Sequence, residues 1–302
     1  MLDVITTQSI KLPFGSLILV TKGQVHRSKV IGDAVYKTSF SEDTYCVNMG
    51  WEITEDSSYR ATQMKKGIYL GHNLGAPCKL HIYENNINLY LENTQMYGNV
   101  LWSFALKYIF TKACLDHDIL HLKAAMVRDV KDKKIVLILG KGGSGKTTLA
   151  DNLCKNGYER ISNTHCMIDV KRNYAWGINS WIRRRTLGED QFYLDEPDWF
   201  LDGFVKKIII AEGTNNTDLL SINKLTYCEK YYFIKFFSAA ICNYDLKEEV
   251  FDYMADTTEK AFSYLKREDD LVKKLANTEI SRVRLDSYND VCLTQLIAYL
   301  KN

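Results

Sequence analysis

Ile135-Val-Leu-Ile-Leu-Gly-Lys-Gly-Gly-Ser-Gly-Lys-Thr147 is the stretch on which the reading of this chain turns. Its first five residues form an unbroken apolar run, the pattern of a strand buried on both faces of a sheet. The next eight, Gly140 to Thr147, satisfy G-x-x-x-x-G-K-[ST]. Glycines at 140, 142, 143 and 145 let the backbone curl until successive N–H groups converge on one concavity, a nest for phosphate oxygens. A helix predicted over 146–155, ended by Asn156-Gly157, adds the positive end of its dipole to that cradle. In such a loop Lys146 supplies a mobile cation for the β- and γ-phosphates of a nucleotide, and Thr147 offers its hydroxyl to a magnesium ion that bridges them. The expected nucleotide contacts are Gly140, Lys141, Gly142, Gly143, Ser144, Gly145, Lys146, Thr147 and Thr148. ATP is the expected nucleotide, with GTP left open because no base-reading motif is visible.

Outward from this stretch, Lys206-Lys-Ile-Ile-Ile-Ala211 reads as a second buried strand. It runs into Glu212-Gly213, which makes Glu212 a candidate acid on the metal side. His121 to Val127 reads as one strand and residues 128–134 as a charged turn. Helical spacing recurs over 258–275 and 289–300, with a short strand near Val283-Arg-Leu285 between them. The first hundred residues read as mainly β: Leu17–Val20 is strand-like, and Lys79 to Glu92 alternates apolar and polar residues on either side of Asn85-Asn86, a hairpin signature. Residues 102–114 then take helical spacing. The chain thus divides into a β-rich domain over 1–115, suited to recognising or presenting an acceptor, and an α/β nucleotide-binding catalytic domain over 116–302.

Composition narrows the classes. The 302 residues carry 39 Lys+Arg against 37 Asp+Glu, a formal charge of +2, and are 46% hydrophobic. That content excludes intrinsic disorder, and the charge balance gives no global attraction to nucleic acid. Apolar runs such as Ile135–Leu139 and Ile208–Ala211 are strand-sized, well below the ~20 residues of a membrane span. The N-terminus has no basic stretch leading into an apolar run, so no secretory signal is expected. Eight scattered cysteines without a C-x-x-C pair read as reduced thiols in a cytoplasmic protein. No nucleic-acid or membrane partner is expected, and homo-oligomerisation stays open.

The stretch from His121 to Arg185 resembles the C-terminal catalytic domain of the HPr kinase/phosphorylase family. It is closer still to related kinases of lasso-peptide and other peptide-modification clusters, within the phosphoenolpyruvate-carboxykinase-like group of P-loop folds. The shared order runs from a histidine opening a short hairpin (His121, then Ala124-Ala-Met-Val127), through the apolar strand, the glycine loop and its helix, to Asn156-Gly157-Tyr158 and the strand Ile161-Ser162. A glycine then precedes the basic segment from Gly177 to Arg185, and the short strand Ser281 to Leu285 before a last helix also fits. About 60% of the chain is covered, and the glycine loop is its specific part. The resemblance implies magnesium- and ATP-dependent phosphoryl transfer to a seryl or threonyl hydroxyl of a peptide or small protein.

One departure bears on mechanism. Those kinases carry an aspartate after the strand that follows the loop helix, read as the base that activates the acceptor; here the residues are Asn163-Thr164-His165. An amide orients a hydroxyl but cannot accept its proton, so the base role passes to His165, Asp169 or His121, or the reaction differs. Lys146, His165, His121 and Asn163 are the catalytic candidates, joined by Arg183 and Arg185, which share one face of a strand and suit a γ-phosphate. Arg282 and Arg284 have the same spacing. Trp176 and Trp181 read as packing residues. Two other functions fit the residues: ATP-dependent activation of a carboxylate, which needs no base, and non-catalytic nucleotide binding in an accessory protein.

Overall fold

The computed structural model describes residues 5–12, 15–22, 43–50, 61–64, 78–91, 107–177, 182–186, 189–193, 202–213, 220–242, 258–286 and 289–302. The protein is mixed α/β, with seventeen strands and five helices among the described residues. It divides into two compact units, Met1–His117 with Ala239–Lys266, and Asp118–Ser238 with Arg267–Asn302. The first boundary lies close to the expected 115/116. The return of residues 239–266 to the first unit differs from the two-block division, because contacts rather than chain order define a unit.

The first unit holds a six-stranded mixed sheet in the order β1-β2-β3-β6-β5-β4. Its strands are β1 (Ile5–Leu12), β2 (Gly15–Lys22), β3 (Asp43–Met49), β4 (Ala61–Met64), β5 (Cys78–Tyr83) and β6 (Asn86–Leu91). Leu17 and Leu19, Tyr45, Val47 and Met49, and Ile87 and Leu89 are buried at every second position, so one face carries the core. The β5–β6 hairpin turns at Glu84-Asn85, one residue before the expected Asn85-Asn86, with Glu84 at φ 47°. This register pairs Ile82 with Ile87 and Leu80 with Leu89. A turn one residue later would set Glu84 opposite Ile87, so apolar matching outweighs the asparagine preference. Helix α1 (Lys107–Asp116) follows, with Tyr108, Ile109, Phe110, Ala113 and Cys114 buried; residues 102–106 of the expected helix lie outside the described residues.

The second unit is built on a nine-stranded sheet. Its strands are β7 (Leu120–Leu122), β8 (Ala124–Asp129), β9 (Ile135–Leu139), β10 (Tyr158–Ser162), β11 (Cys166–Asp169), β12 (Tyr174–Gly177), β15 (Asp202–Gly213), β16 (Ser221–Lys224) and β17 (Ile280–Leu285). The main path runs β10-β8-β9-β15-β12-β11-β7, with β17 beside β15 and β16 beside β17. At its centre β9, β15 and β17 are parallel neighbours. All five residues of β9 are at most 1% exposed, as the unbroken apolar run predicts. The expected single strand 121–127 is instead two, broken at Lys123, because β8 continues into β9's register while β7 pairs with β11.

Helix α2 (Lys146–Cys154) and helix α5 (Asp290–Lys301) share one core with the sheet: Leu149, Ala150 and Leu153 meet Leu293, Leu296 and Leu300 around Val136, Ile138, Ile209 and Val283. Asn289 caps α5, its side chain accepting from the N–H groups of Val291 and Cys292 at 2.9 and 3.2 Å. Helix α3 (Tyr227–Cys242) was not foreseen, although Thr226 and Glu229 form a reciprocal capping box at its start, a pattern legible as Thr-x-x-Glu. Helix α4 (Thr258–Ala276) matches its predicted span. A separate hairpin, β13 (Ile182–Thr186) with β14 (Glu189–Tyr193), carries the arginine run. Among the described residues no helix is long and apolar enough to cross a membrane.

Candidate functional site

Strand β9 delivers the chain into the glycine loop and α2 carries it away. Gly143 and Gly145 adopt φ of 79° and 81°, the left-handed region in which residues with a Cβ are strained. Gly145 is the residue before the helix, and no side chain caps that start. The first amides of α2 thus have no N-cap side chain to accept from them. The loop is tied to its neighbours by backbone bonds: Ser144 N–H donates to Lys141 O and Gly213 N–H to Ser144 O, both at 3.2 Å. The end of β15 thus holds the loop's far side.

Inside this curl, Lys146 Nζ donates to the carbonyls of Gly140 at 2.7 Å and Lys141 at 2.8 Å. Burial, followed by the nearby charge of Lys123, brings its pKa down to about 8. Bound polyphosphate favours the ammonium, so binding above pH 8 must take up a proton. Nucleotide affinity is accordingly expected to be flat below about pH 8 and to fall as pH rises above it. Calorimetric titration in two buffers of different ionisation enthalpy checks this, and a pH-independent proton count of zero refutes it.

Thr147 begins the helix beside the end of β10. Its hydroxyl donates to Asn163 Oδ1 at 3.0 Å, and Asn163 is 5% exposed. The structure thus puts Asn163 against the Thr147 hydroxyl at the end of the loop. His165 lies two residues further on, its carbonyl accepting from Ser162 Oγ at 2.5 Å. His121, on β7 opposite Met167 of β11, brings its ring to 5.3 Å from that of His165, and both imidazoles are buried. The two histidines, 44 positions apart, are thereby one pair. Asp169 is occupied differently: its carboxylate accepts from the N–H groups of Lys171 and Arg172 at 2.9 and 3.0 Å and braces the β11–β12 turn.

Glu212 stands near the loop at the end of β15, but its carboxylate is engaged by two guanidiniums from β17, Arg282 at 2.7 Å and Arg284 at 2.9 Å. Arg282 and Arg284 do share a face, and that face addresses Glu212. The pair of hydrogen bonds outweighs the effect of desolvation and holds the Glu212 carboxyl below its ordinary pKa. In this structure its negative charge faces those two guanidiniums. The backbone of Arg183 and Arg185 lies on β13, opposite Phe192 and Asp190, while their side chains lie outside the described residues. Thr148, in the first turn of α2, is half-buried. Trp176 is fully buried, as a packing residue should be, and Trp181 lies outside the described residues.

A magnesium ion fits the donor set beside the loop. Magnesium takes oxygen ligands and keeps several waters, resting on few protein groups when phosphates supply the rest. Thr147 Oγ1 and Asn163 Oδ1 are such oxygens. No group of three or more His, Cys, Asp or Glu capable of holding a metal alone occurs among the described residues. Neither a protein-family model nor a curated protein sequence matches this chain.

Proposed function

We propose that the protein is a nucleotide-dependent phosphotransferase of the HPr kinase/phosphoenolpyruvate-carboxykinase-like type. It uses ATP or GTP with magnesium to phosphorylate a seryl or threonyl hydroxyl of a peptide or small protein. The reading is carried by one convergence at the ends of β9 and β10: a curled glycine loop, an uncapped helix start, Lys146 within the curl and the Thr147 hydroxyl bonded to Asn163. Backbone amides from Gly142 to Lys146 would stabilise the charge of the transferred group, acting as prepositioned dipoles. Magnesium, when bound, neutralises part of the phosphate charge, and Thr147 and Asn163 are the residues that would hold it. The buried His121–His165 pair supplies the proton acceptor that Asn163 cannot be.

A second reading is favoured by the same amide. With Asn163 facing Thr147 and Glu212 held by two arginines, a carboxylate acceptor would need no base and would itself bring the missing negative charge. Chemistry separates the two, because a phosphoester survives hydroxylamine and an acyl phosphate does not. Incubation with γ-labelled ATP and a serine-containing peptide is expected to give hydroxylamine-stable label. In His165→Ala that transfer is expected to drop by about 10² while nucleotide affinity holds. Labile label favours the carboxylate acceptor. Nucleotide binding without any transfer to either class of acceptor would leave an accessory binding protein and defeat the kinase reading.

A further inference from the structure

We infer that the exposed aromatic ridge of α3, Phe236 with Tyr232 one turn before it, is the surface that docks the acceptor. Its occupant is an extended peptide segment with apolar side chains two and four residues from the hydroxyl that receives the phosphoryl group. The inference rests on the phosphotransferase reading above and names the class of peptide that such an enzyme would take.

The course of α3 sets the ridge. Near its start Lys230 Nζ donates to Thr278 O, just before β17, at 2.8 Å. Further along, the carbonyl of Phe237 accepts from the Lys123 N–H at 3.2 Å, at the break between β7 and β8. Ala124, the first residue of β8, pairs with Leu139, the last residue of β9 before the glycine loop. The helix therefore leads from the entry of β17 to the edge of the sheet that carries the loop. Its inner side is held by α4: the buried Glu268 carboxylate accepts from Lys235 Nζ and Ser238 Oγ, and the Tyr231 hydroxyl donates to Asp269 at 2.6 Å.

On that inner side Ile234, Phe237 and Ser238 are buried, whereas Tyr232 is 61% and Phe236 42% exposed. Four residues apart, these two rings share one face of the helix. Each is braced by the ring that follows it: Phe236 meets Phe237 edge-on at 5.2 Å between centroids, and Tyr232 meets Phe233 at 5.6 Å. The loop end of the ridge is marked as well. The ammonium of Lys141, second residue of the glycine loop, lies 5.9 Å from the centre of the Phe236 ring. A single exposed ring is ordinary on a protein surface. Two braced rings in line with the loop's own cation make an apolar surface continuous with the phosphate site.

Spacing selects the occupant. Four residues of helix advance ~6 Å, and two residues of extended chain advance ~6.6 Å with their side chains on the same face. An extended peptide laid along α3 therefore puts alternate side chains on Phe236 and Tyr232. With Phe236 nearer the loop, one more repeat of two residues carries the acceptor hydroxyl past the ring, a step close to the 5.9 Å that separates Phe236 from Lys141. Apolar side chains leaving water against the two rings supply the docking free energy. A nucleobase would cover one ring and leave Tyr232, a turn farther away, unused.

Transfer from γ-labelled ATP to peptides with one fixed serine or threonine and randomised flanks, using the full-length protein, tests this. Wild type is expected to select aromatic or aliphatic residues at the second and fourth positions on one side of the acceptor. Phe236→Ala should lose the selection at the second position and raise the KM of a selected peptide about tenfold, while ATP affinity measured by calorimetry holds. Tyr232→Ala should lose the selection at the fourth position alone. Phe236→Leu, which keeps apolar bulk, should retain both. Phe236→Gln supplies the comparison if the alanine variant does not fold. Transfer without apolar selection, or selection unchanged in both alanine variants, would overturn the inference and leave the kinase reading standing. So would a loss of ATP affinity in Phe236→Ala as large as the loss for peptide, because the ring would then serve the nucleotide. Absence of transfer to any peptide would sink the hydroxyl-acceptor reading, and this inference with it.

Discussion

Lys146→Ala is expected to remove nucleotide-dependent turnover by a factor of about 10³ or more, while its melting temperature stays level or rises. The two halves of that result have separate causes. On the proposed kinase reading, turnover fails because the ammonium within the curl, held by the carbonyls of Gly140 and Lys141 at 2.7 and 2.8 Å, is a cation that would meet the phosphates of a bound nucleotide. Stability does not fail because the folded protein disfavours that charge: burial and Lys123 bring its pKa from 10.5 down to about 8. The sign follows from proton counting. Between pH 8 and 10.5 the folded state binds fewer protons than the unfolded chain, so Lys146 costs stability that is recovered as pH rises through this window. At neutral pH the cost is present in full, and removing the lysine relieves it. Persistent turnover in the alanine variant would show that the chemistry lies elsewhere.

The second large effect is expected from Gly140→Ala. A Cβ at Gly140 would lie 2.3 Å from Ser144 Oγ, 2.9 Å from Ala211 O and 3.3 Å from Lys146 Cγ. The serine hydroxyl can swing away. The carbonyl of Ala211 cannot, because β15 is clamped between β9 and β17 by parallel ladders on both sides. The loop must therefore lift off the strand, carrying Lys146 and the helix start with it. Nucleotide affinity should fall by about 10² and stability by ~1–3 kcal/mol, the range for overpacking a tight interior. Gly142→Ala is the matched control: nothing lies within 4 Å of its Cβ, so its melting curve should follow wild type. Equal behaviour of the two variants in thermal melts and in ATP titration would refute this account of the loop.

Much of the second unit was legible because its signals are local. An apolar pentapeptide, four glycines, a lysine and a threonine predict a buried strand, a turn and a helix, and those elements occur at Ile135–Leu139 and Lys146–Cys154. The helices over 258–276 and 290–301 were legible for the same reason, since a 3.6-residue period is written along the chain itself. Helix α3 was as legible in principle: its Thr226–Glu229 capping box is a local pattern, and the strongly apolar run that follows it masks the period. The hairpin at Glu84-Asn85 shows the limit of turn chemistry. Asparagines nominate a turn, but the pairing of Ile82 with Ile87 and Leu80 with Leu89 selects which two residues occupy it.

The candidate site divides along the same line. Residue types that bind phosphate had to be near one another because they are consecutive, so the glycine loop, Lys146 and Thr147 follow from sequence alone. What stands around them was decided by strand pairing. Asn163 meets Thr147 because β10 ends beside the start of α2. His121 meets His165 because β7 pairs with β11. Glu212, a plausible metal acid when read along the chain, is taken by Arg282 and Arg284 because β17 is laid parallel to β15 seventy residues later. Local backbone preference acts over a few residues and is carried by each residue's own sterics. The neighbour across a sheet is set by which register buries both faces of β9 and the apolar residues of β15 and β17, a condition that no single segment contains.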